Sequence, residues 1–199
     1  MNPGFLLALE GIDGSGKSTA AAGIVSALRT EGRDVVATRE PTDGPWGRRI
    51  RDMAASGKTV APAEELRWFV EDRREHVRAC IRPALEASRL VITDRYFLST
   101  VAYQGARGLD WRRILADAEA EFPVPDLALV FELDPAAGLL RARGRPGNAE
   151  PTFEEARFLG RVAEVYAALD RPWIERLDAA RPPAEVLADA LARVRASLR

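Results

Sequence analysis

One cysteine, one histidine and almost no lysine set the first limits on this 199-residue chain. With Cys80 alone, no internal disulfide can form, so a reducing compartment is expected and Cys80 reads as core filler. The lone His76 makes no metal site by itself and is expected to be a satisfied structural residue. Charge of one sign is also lacking: 29 basic side chains face 30 acidic ones, for a formal net charge of -1. No polyanionic partner such as a nucleic acid is therefore implied. Arginine in place of lysine reads as a mark of GC-rich coding rather than of function. The chain has no long apolar run. Its N-terminal stretch Phe5-Leu6-Leu7-Ala8-Leu9 is too short to span a membrane and has no basic leader, so a cytosolic protein is expected. An Asn-Lys-x-Asp motif is missing too, which argues against a guanine-reading switch. There is no internal repeat and no long linker. At 47% apolar residues, what remains is enough for one cored domain, 1–199, with at most a small lid.

What is present begins just after that first apolar run. Gly11-Ile12-Asp13-Gly14-Ser15-Gly16-Lys17-Ser18 is a G-x-x-x-x-G-K-S loop, and Thr19 leads on into a helical pattern in which Ala21, Ile24, Val25 and Leu28 recur at i, i+3, i+4 and i+7. Strand, glycine loop and helix are the context a phosphate site requires. The glycines let backbone N–H groups converge on phosphate oxygens, and the helix N-terminus adds partial positive charge. Lys17 is placed to reach the terminal phosphates, and the Ser18 hydroxyl to ligate magnesium.

Apolar strand candidates lie at Phe5–Glu10, Asp34–Thr38, Leu90–Asp94, Leu127–Leu133 and Trp173–Leu177. Helical patterns cover Lys17–Thr30, Gly44–Ala55, Pro62–Ala87, Phe97–Gly105, Trp111–Glu121, Pro135–Arg143, Thr152–Leu169 and Pro183–Leu198. This alternation predicts an α/β fold of the P-loop NTPase kind, with a five-stranded parallel sheet flanked by helices. Ligands in such sheets lie beyond the carboxyl ends of the strands.

Those ends carry chemistry. Thr38-Arg39-Glu40-Pro41 follows the second strand and Asp94-Arg95-Tyr96 the third. Arg39 and Arg95 either grip a phosphate through their forked guanidinium groups or merely charge a strand edge. Asp94 stands where P-loop proteins place the acid that holds magnesium or its water shell. In the helix from Pro62, Leu66, Phe69, Val70, Arg73, Val77, Cys80 and Ile81 share a stripe. Arg73 on an apolar stripe needs a partner. Either Phe69 stacks on a planar base whose edge Arg73 reads, or Arg73 pairs with a carboxylate (Asp72, or one across the core) and Phe69 is plain core; the residues alone lean to the latter. Thr100 and Gln104 share a face at i, i+4 and either bond a ligand or face solvent. Arg141, Arg143 and Arg145, among Gly144, Pro146 and Gly147, form either a closing arginine lid over about 141–152 or a plain basic loop.

In order along the chain stand Glu10–Thr19, Thr38-Arg39-Glu40-Pro41, Asp72-Arg73-x-x-His76, Asp94-Arg95-Tyr96-x-x-Ser99 and Ala102-Tyr103-Gln104-Gly105. The series resembles the thymidylate kinase (dTMP kinase) family of P-loop nucleoside monophosphate kinases over about two-thirds of the chain. The resemblance implies transfer of the ATP γ-phosphoryl group to dTMP, with magnesium, in a homodimer. It makes Phe69 the stacking partner of thymine and Arg73 the donor to the base edge. Arg39 and Arg95 hold the monophosphate and bridge to the transferring group. Asp13 meets the 3′-hydroxyl, Tyr103 packs where a 2′-hydroxyl would sit, and Thr100 and Gln104 complete the pocket. No variable P-loop position is basic, so one of Arg141, Arg143 and Arg145 supplies the auxiliary charge.

Three departures mark where this chain differs from the pattern. Thr42-Asp43-Gly44 replaces Gly-Gly after Pro41, Arg74-Glu75 replaces a small residue and glutamine, and Gly147-Asn148-Ala149-Glu150 lacks an Asp-Arg pair. They lie near phosphate, base and lid, and so bear on acceptor range and efficiency. The alternatives are a related kinase with another acceptor, for example dUMP, and a non-catalytic nucleotide-binding paralogue.

Overall fold

The computed structural model describes residues 4–143 and 153–198. Five strands form one parallel sheet: β1 (Phe5–Gly11), β2 (Val35–Arg39), β3 (Leu90–Asp94), β4 (Leu127–Glu132) and β5 (Ile174–Asp178). Their order across the sheet is β2-β3-β1-β4-β5. The helices are α1 (Lys17–Thr30), α2 (Pro45–Ser56), α3 (Pro62–His76), α4 (Arg82–Glu86), α5 (Phe97–Ala106), α6 (Trp111–Glu121), α7 (Pro135–Arg143), α8 (Phe153–Ala168) and α9 (Pro183–Ser197). The expected α/β architecture is the observed one. No described helix is long and apolar enough to cross a membrane.

Side chains of a strand alternate between faces, and this sorts the core into two layers. Leu6 and Ala8 of β1 join Val91, Ala128 and Val130 under α5, α6 and α8. Leu7 and Leu9 join Ile92, Leu129 and Phe131 under α1 and α9. Central β1 is buried from Leu6 to Glu10, as a strand covered on both faces must be.

The Pro62–Ala87 pattern is not a single regular helix. After α3, residues Val77–Ile81 form a π-helical turn, in which the Arg82 N–H bonds back to the Val77 carbonyl. Pro83 lacks an N–H and its ring would crowd the carbonyl four residues back, so a wider turn just before it relieves the ladder. The buried face of α3 also differs from the apolar stripe. Glu65, Trp68, Asp72, Arg73 and His76 are the buried residues there, whereas Leu66, Phe69 and Val70 are half-buried.

Sheet register brings the motifs to one edge. Asp94 lies opposite both Leu9 of β1 and Arg39 of β2. The connections after β1 and β3 run to opposite sides of the sheet, so the crevice at their carboxyl ends is the switch point where such folds bind ligands.

Candidate active site

The glycine loop is shaped by its backbone. Gly14 has φ +79°, and a Cβ there would meet the Gly138 carbonyl oxygen at 1.9 Å. Gly16, the residue that caps α1, has φ +90° and brings no side chain to the helix N-terminus. The first-turn N–H groups of α1 are thus left to an anion. Buried Lys17 folds back onto its own loop, with Nζ 2.7 Å from the Ile12 carbonyl and 3.3 Å from Ser15 Oγ. Burial pushes its ammonium pKa down to about 7, helped by Arg95, while Asp13, Asp94 and Glu10 pull the other way. An incoming phosphate supplies the counter-charge this ammonium needs.

Ser18 Oγ donates to Asp94 Oδ2 at 2.5 Å. A hydroxyl and a carboxylate side by side at the end of the loop are hard oxygen donors, which suits magnesium held jointly with phosphate oxygens and water. The two residues fit that ion.

Against the same loop stands Arg95. It is a non-glycine residue with φ +71°, a conformation that stores roughly 1–3 kcal/mol and persists only where its surroundings enforce it. Its Nη2 donates to Asp13 Oδ1 at 2.6 Å, and its Nη1 to the Gly11 carbonyl and Ser99 Oγ. The Tyr103 hydroxyl donates to Asp13 Oδ2 at 2.8 Å, and the Arg95 guanidinium lies 5.3 Å from the Tyr103 ring centre. Withdrawal from water works to raise the Asp13 pKa, but Arg95 and Lys17 outweigh it and hold the carboxyl below its usual range. Asp13 thus shares one cluster with Arg95 and Tyr103, which lie 82 and 90 residues further along the chain.

A second cluster joins β2 to α3. Arg73 donates to Glu40 Oε2 from Nε at 2.9 Å and from Nη2 at 2.6 Å, and Nη2 also donates to Thr100 Oγ1 at 2.9 Å. Both charged side chains are almost wholly buried. His76 completes the knot, with Nδ1 2.9 Å from Glu40 Oε1 and Nε2 2.7 Å from Thr38 Oγ1. Asp72 accepts from the Thr42 N–H and hydroxyl at 2.8 and 2.6 Å. The Thr38–Thr42 segment is therefore fastened to the Asp72–His76 segment residue by residue. The carboxylate across the core is the one Arg73 uses, not Asp72. His76 is a buried residue with both ring nitrogens partnered, as expected of a structural histidine.

Among the described residues Arg73 Nη1 makes no hydrogen bond, so this edge of the guanidinium stays available. Phe69, one turn earlier, packs against neither core, although its neighbours Leu66 and Val70 do. Plain core is thus the wrong description of Phe69. Gln104 is buried, with Oε1 unpartnered among the described residues. Arg39 is largely exposed and rests on Asp43, with Nη2 3.1 Å from Oδ1.

Beside the loop, Gly14, Gly16 and Thr19 help line a cavity of about 300 Å³ with Arg141, Ala179, Arg181, Pro183 and Leu187. Arg141 Nη1 donates to the Ala179 carbonyl at 2.8 Å. Arg145 and the side chain of Arg143 lie outside the described residues. The 179–187 wall was missed by the sequence reading, because, Arg181 apart, it is lined by small and apolar residues, and it carries no motif. Glu10, Glu40, Thr42 and Tyr166 were also passed over as contributors, and Asp72 was weighed only as a partner of Arg73. The signal that could have found Glu10 and Glu40 is their presence inside quoted motifs; Thr42 and Tyr166 carry none.

Loop, anion-ready helix, hydroxyl–carboxylate pair and facing arginines define a P-loop nucleotide-binding protein built for phosphoryl transfer. Comparison with known proteins narrows the class. A family model for thymidylate kinase matches residues 9–190. The chain is 40% identical to the thymidylate kinase of Desulfotalea psychrophila over 198 residues, which cover 100% of this chain and 98% of that one. It is 46% identical to the thymidylate kinase of Xanthomonas campestris pv. campestris over 195 residues, covering 98% and 85%. The chain belongs to the thymidylate kinase family, and is a kinase.

Proposed function

We propose that the chain transfers the γ-phosphoryl group of ATP to dTMP, giving dTDP, with magnesium at Ser18 and Asp94. The observation that carries this reading is that the glycine loop bearing Lys17 and leading into the α1 N-terminus also gathers Arg95 and Tyr103 onto its Asp13, so phosphate cradle and acceptor-side groups meet at one place. Family membership supplies the acceptor.

Phosphoryl transfer asks little covalent chemistry of the protein; alignment and charge stabilisation carry it. In this reading Gly11–Thr19 cradle the ATP phosphates, Lys17 bridges toward the transferring group, and the 179–187 wall takes the adenosine. Arg39 leaves Asp43 and joins Arg95 on the acceptor phosphate. Phe69 stacks on thymine while Arg73 Nη1 and Thr100 read its edge, with Gln104 behind them. Asp13 and Tyr103 meet the deoxyribose. A dTMP phosphate oxygen is already a competent nucleophile, so no general base is needed. Bound magnesium supplies charge neutralisation at the phosphates.

Residues 1–199 act as one kinase domain, with 141–152 as its arginine-bearing lid. The family supports a cytoplasmic homodimer as its setting, which light scattering tests for assembly. The decisive experiment is ADP release from ATP and magnesium against dTMP, dUMP, dCMP, dGMP, UMP and CMP. Strong preference for dTMP is expected. Turnover with another acceptor would replace the substrate, and nucleotide binding without acceptor-dependent turnover would overturn the kinase reading.

A further inference from the structure

Glu10 is a buried acid at the end of β1 for which phosphoryl transfer has no direct use. It is 0% exposed. Its Oε1 accepts from the Tyr96 N–H at 3.0 Å, and its Oε2 from Ser99 Oγ at 2.5 Å and the Tyr166 hydroxyl at 3.2 Å. Ser99 Oγ in turn accepts from Arg95 Nη1 at 2.9 Å.

These contacts surround the strained residue. The peptide that follows Arg95 is held at both ends: its carbonyl accepts from Thr93 Oγ1 at 2.7 Å, and its N–H, that of Tyr96, donates to Glu10. The Arg95 N–H itself is tied to the Leu9 carbonyl at 2.9 Å. One carboxylate therefore fixes the left-handed turn through the backbone and, through Ser99, one arm of the guanidinium.

A carboxylate is an expensive way to fill space. Burying one costs several kcal/mol unless partners repay it, and an apolar side chain would continue the β1 core more cheaply. An acid ionised above about pH 7 accepts from three donors at once while adding negative charge beneath a guanidinium, which an apolar side chain does not.

We propose that Glu10 is a positioning residue for Arg95, holding its left-handed backbone and its guanidinium in the geometry that receives the acceptor phosphate. The Tyr166 hydroxyl fastens α8 to the same carboxylate, so three elements (β1, the β3–α5 turn and α8) meet at one charged atom pair. The inference rests on Arg95 clamping phosphate, and the test separates the two.

Steady-state kinetics of Glu10→Gln are compared in the native background and in Arg95→Ala, with unfolding monitored in parallel. In the native background kcat should fall about 10- to 100-fold, the scale of a misplaced catalytic group, and KM for dTMP should rise while KM for ATP stays within about twofold. In Arg95→Ala the same change should alter kcat by no more than about twofold, because coupled residues are not additive. Unaltered kcat in Glu10→Gln, or an equal factor in both backgrounds, would overturn the proposal. Should Glu10→Gln not fold, Ser99→Ala removes the bridge from Glu10 to the guanidinium, with its contact to the Tyr166 hydroxyl, and leaves the Glu10–Tyr96 bond in place; a several-fold fall in kcat is then expected, and a normal kcat overturns it. Normal kcat in Arg95→Ala alone would remove the clamp reading, and the proposal with it.

Discussion

Arg73→Ala should unfold this protein more readily as well as weaken its hold on the acceptor. The guanidinium makes two hydrogen bonds to Glu40 and one to Thr100, in a site where the two charged side chains are 2% and 4% exposed. Truncation leaves Glu40 buried with His76 as its remaining side-chain partner. Breaking a buried pair from one side is worth about 3–5 kcal/mol, a large share of the 5–15 kcal/mol that holds a typical domain together. At roughly 2–4 °C per kcal/mol for a chain of this length, ligand-free Tm should fall by about 6–20 °C. Scanning calorimetry without nucleotide isolates this term from any loss of dTMP contact. The double variant Glu40→Gln/Arg73→Met, which removes both charges, should recover most of the loss in Tm yet still need more dTMP. A fall of less than about 2 °C in Arg73→Ala would refute the reasoning, since it would mean that the pair is not what fixes α3 to the end of β2.

Lys17→Ala and Arg95→Ala should each lower kcat at least about 100-fold, the scale of removing transition-state charge stabilisation, with far-UV circular dichroism unchanged. Arg39→Ala should lower turnover while lowering Tm by no more than about 4 °C, because its exposed pair with Asp43 contributes about 0–1 kcal/mol; calorimetry beside kinetics checks both halves. Gly14→Ala should abolish nucleotide binding in a fluorescent-ATP titration, since the added methyl needs φ +79° and the space of the Gly138 carbonyl. Burial pushes the Glu10 pKa up to about 7, against the pull of Ser99, Arg95 and Arg73. The folded chain thus holds a proton that the unfolded chain releases, and stability should decline as pH rises from about 4.5 to about 7, by roughly 3 kcal/mol. Denaturant titrations of Glu10→Gln should lack this decline, and an identical slope in both proteins would sink the assignment.

Much of this protein is decided locally and so is legible in its sequence. The Gly11–Ser18 loop, the helix that follows it and the Asp134 cap, which accepts from the Ala137 N–H at 3.0 Å, depend on neighbours a few residues away. Spacing and residue type state them directly. The alternation of apolar runs with helical patterns likewise dictates a parallel sheet, because crossovers leave few other topologies. Arg39, Asp94 and Arg95 could be found because strand ends in such a sheet converge.

Tertiary structure decided the partnerships. Glu40 meets Arg73 across 33 residues, and Glu10 meets Tyr166 across 156; no periodicity encodes a contact whose two halves lie on different elements. It also decided that Phe69 stands clear of the core, that the polar side of α3 is the buried one, and that Pro83 is preceded by a π turn. A sequence can say that a charged group on a packed face requires a partner. Which partner it receives depends on how the elements pack in three dimensions, because burial and electrostatic pairing are properties of the assembled core rather than of any segment within it.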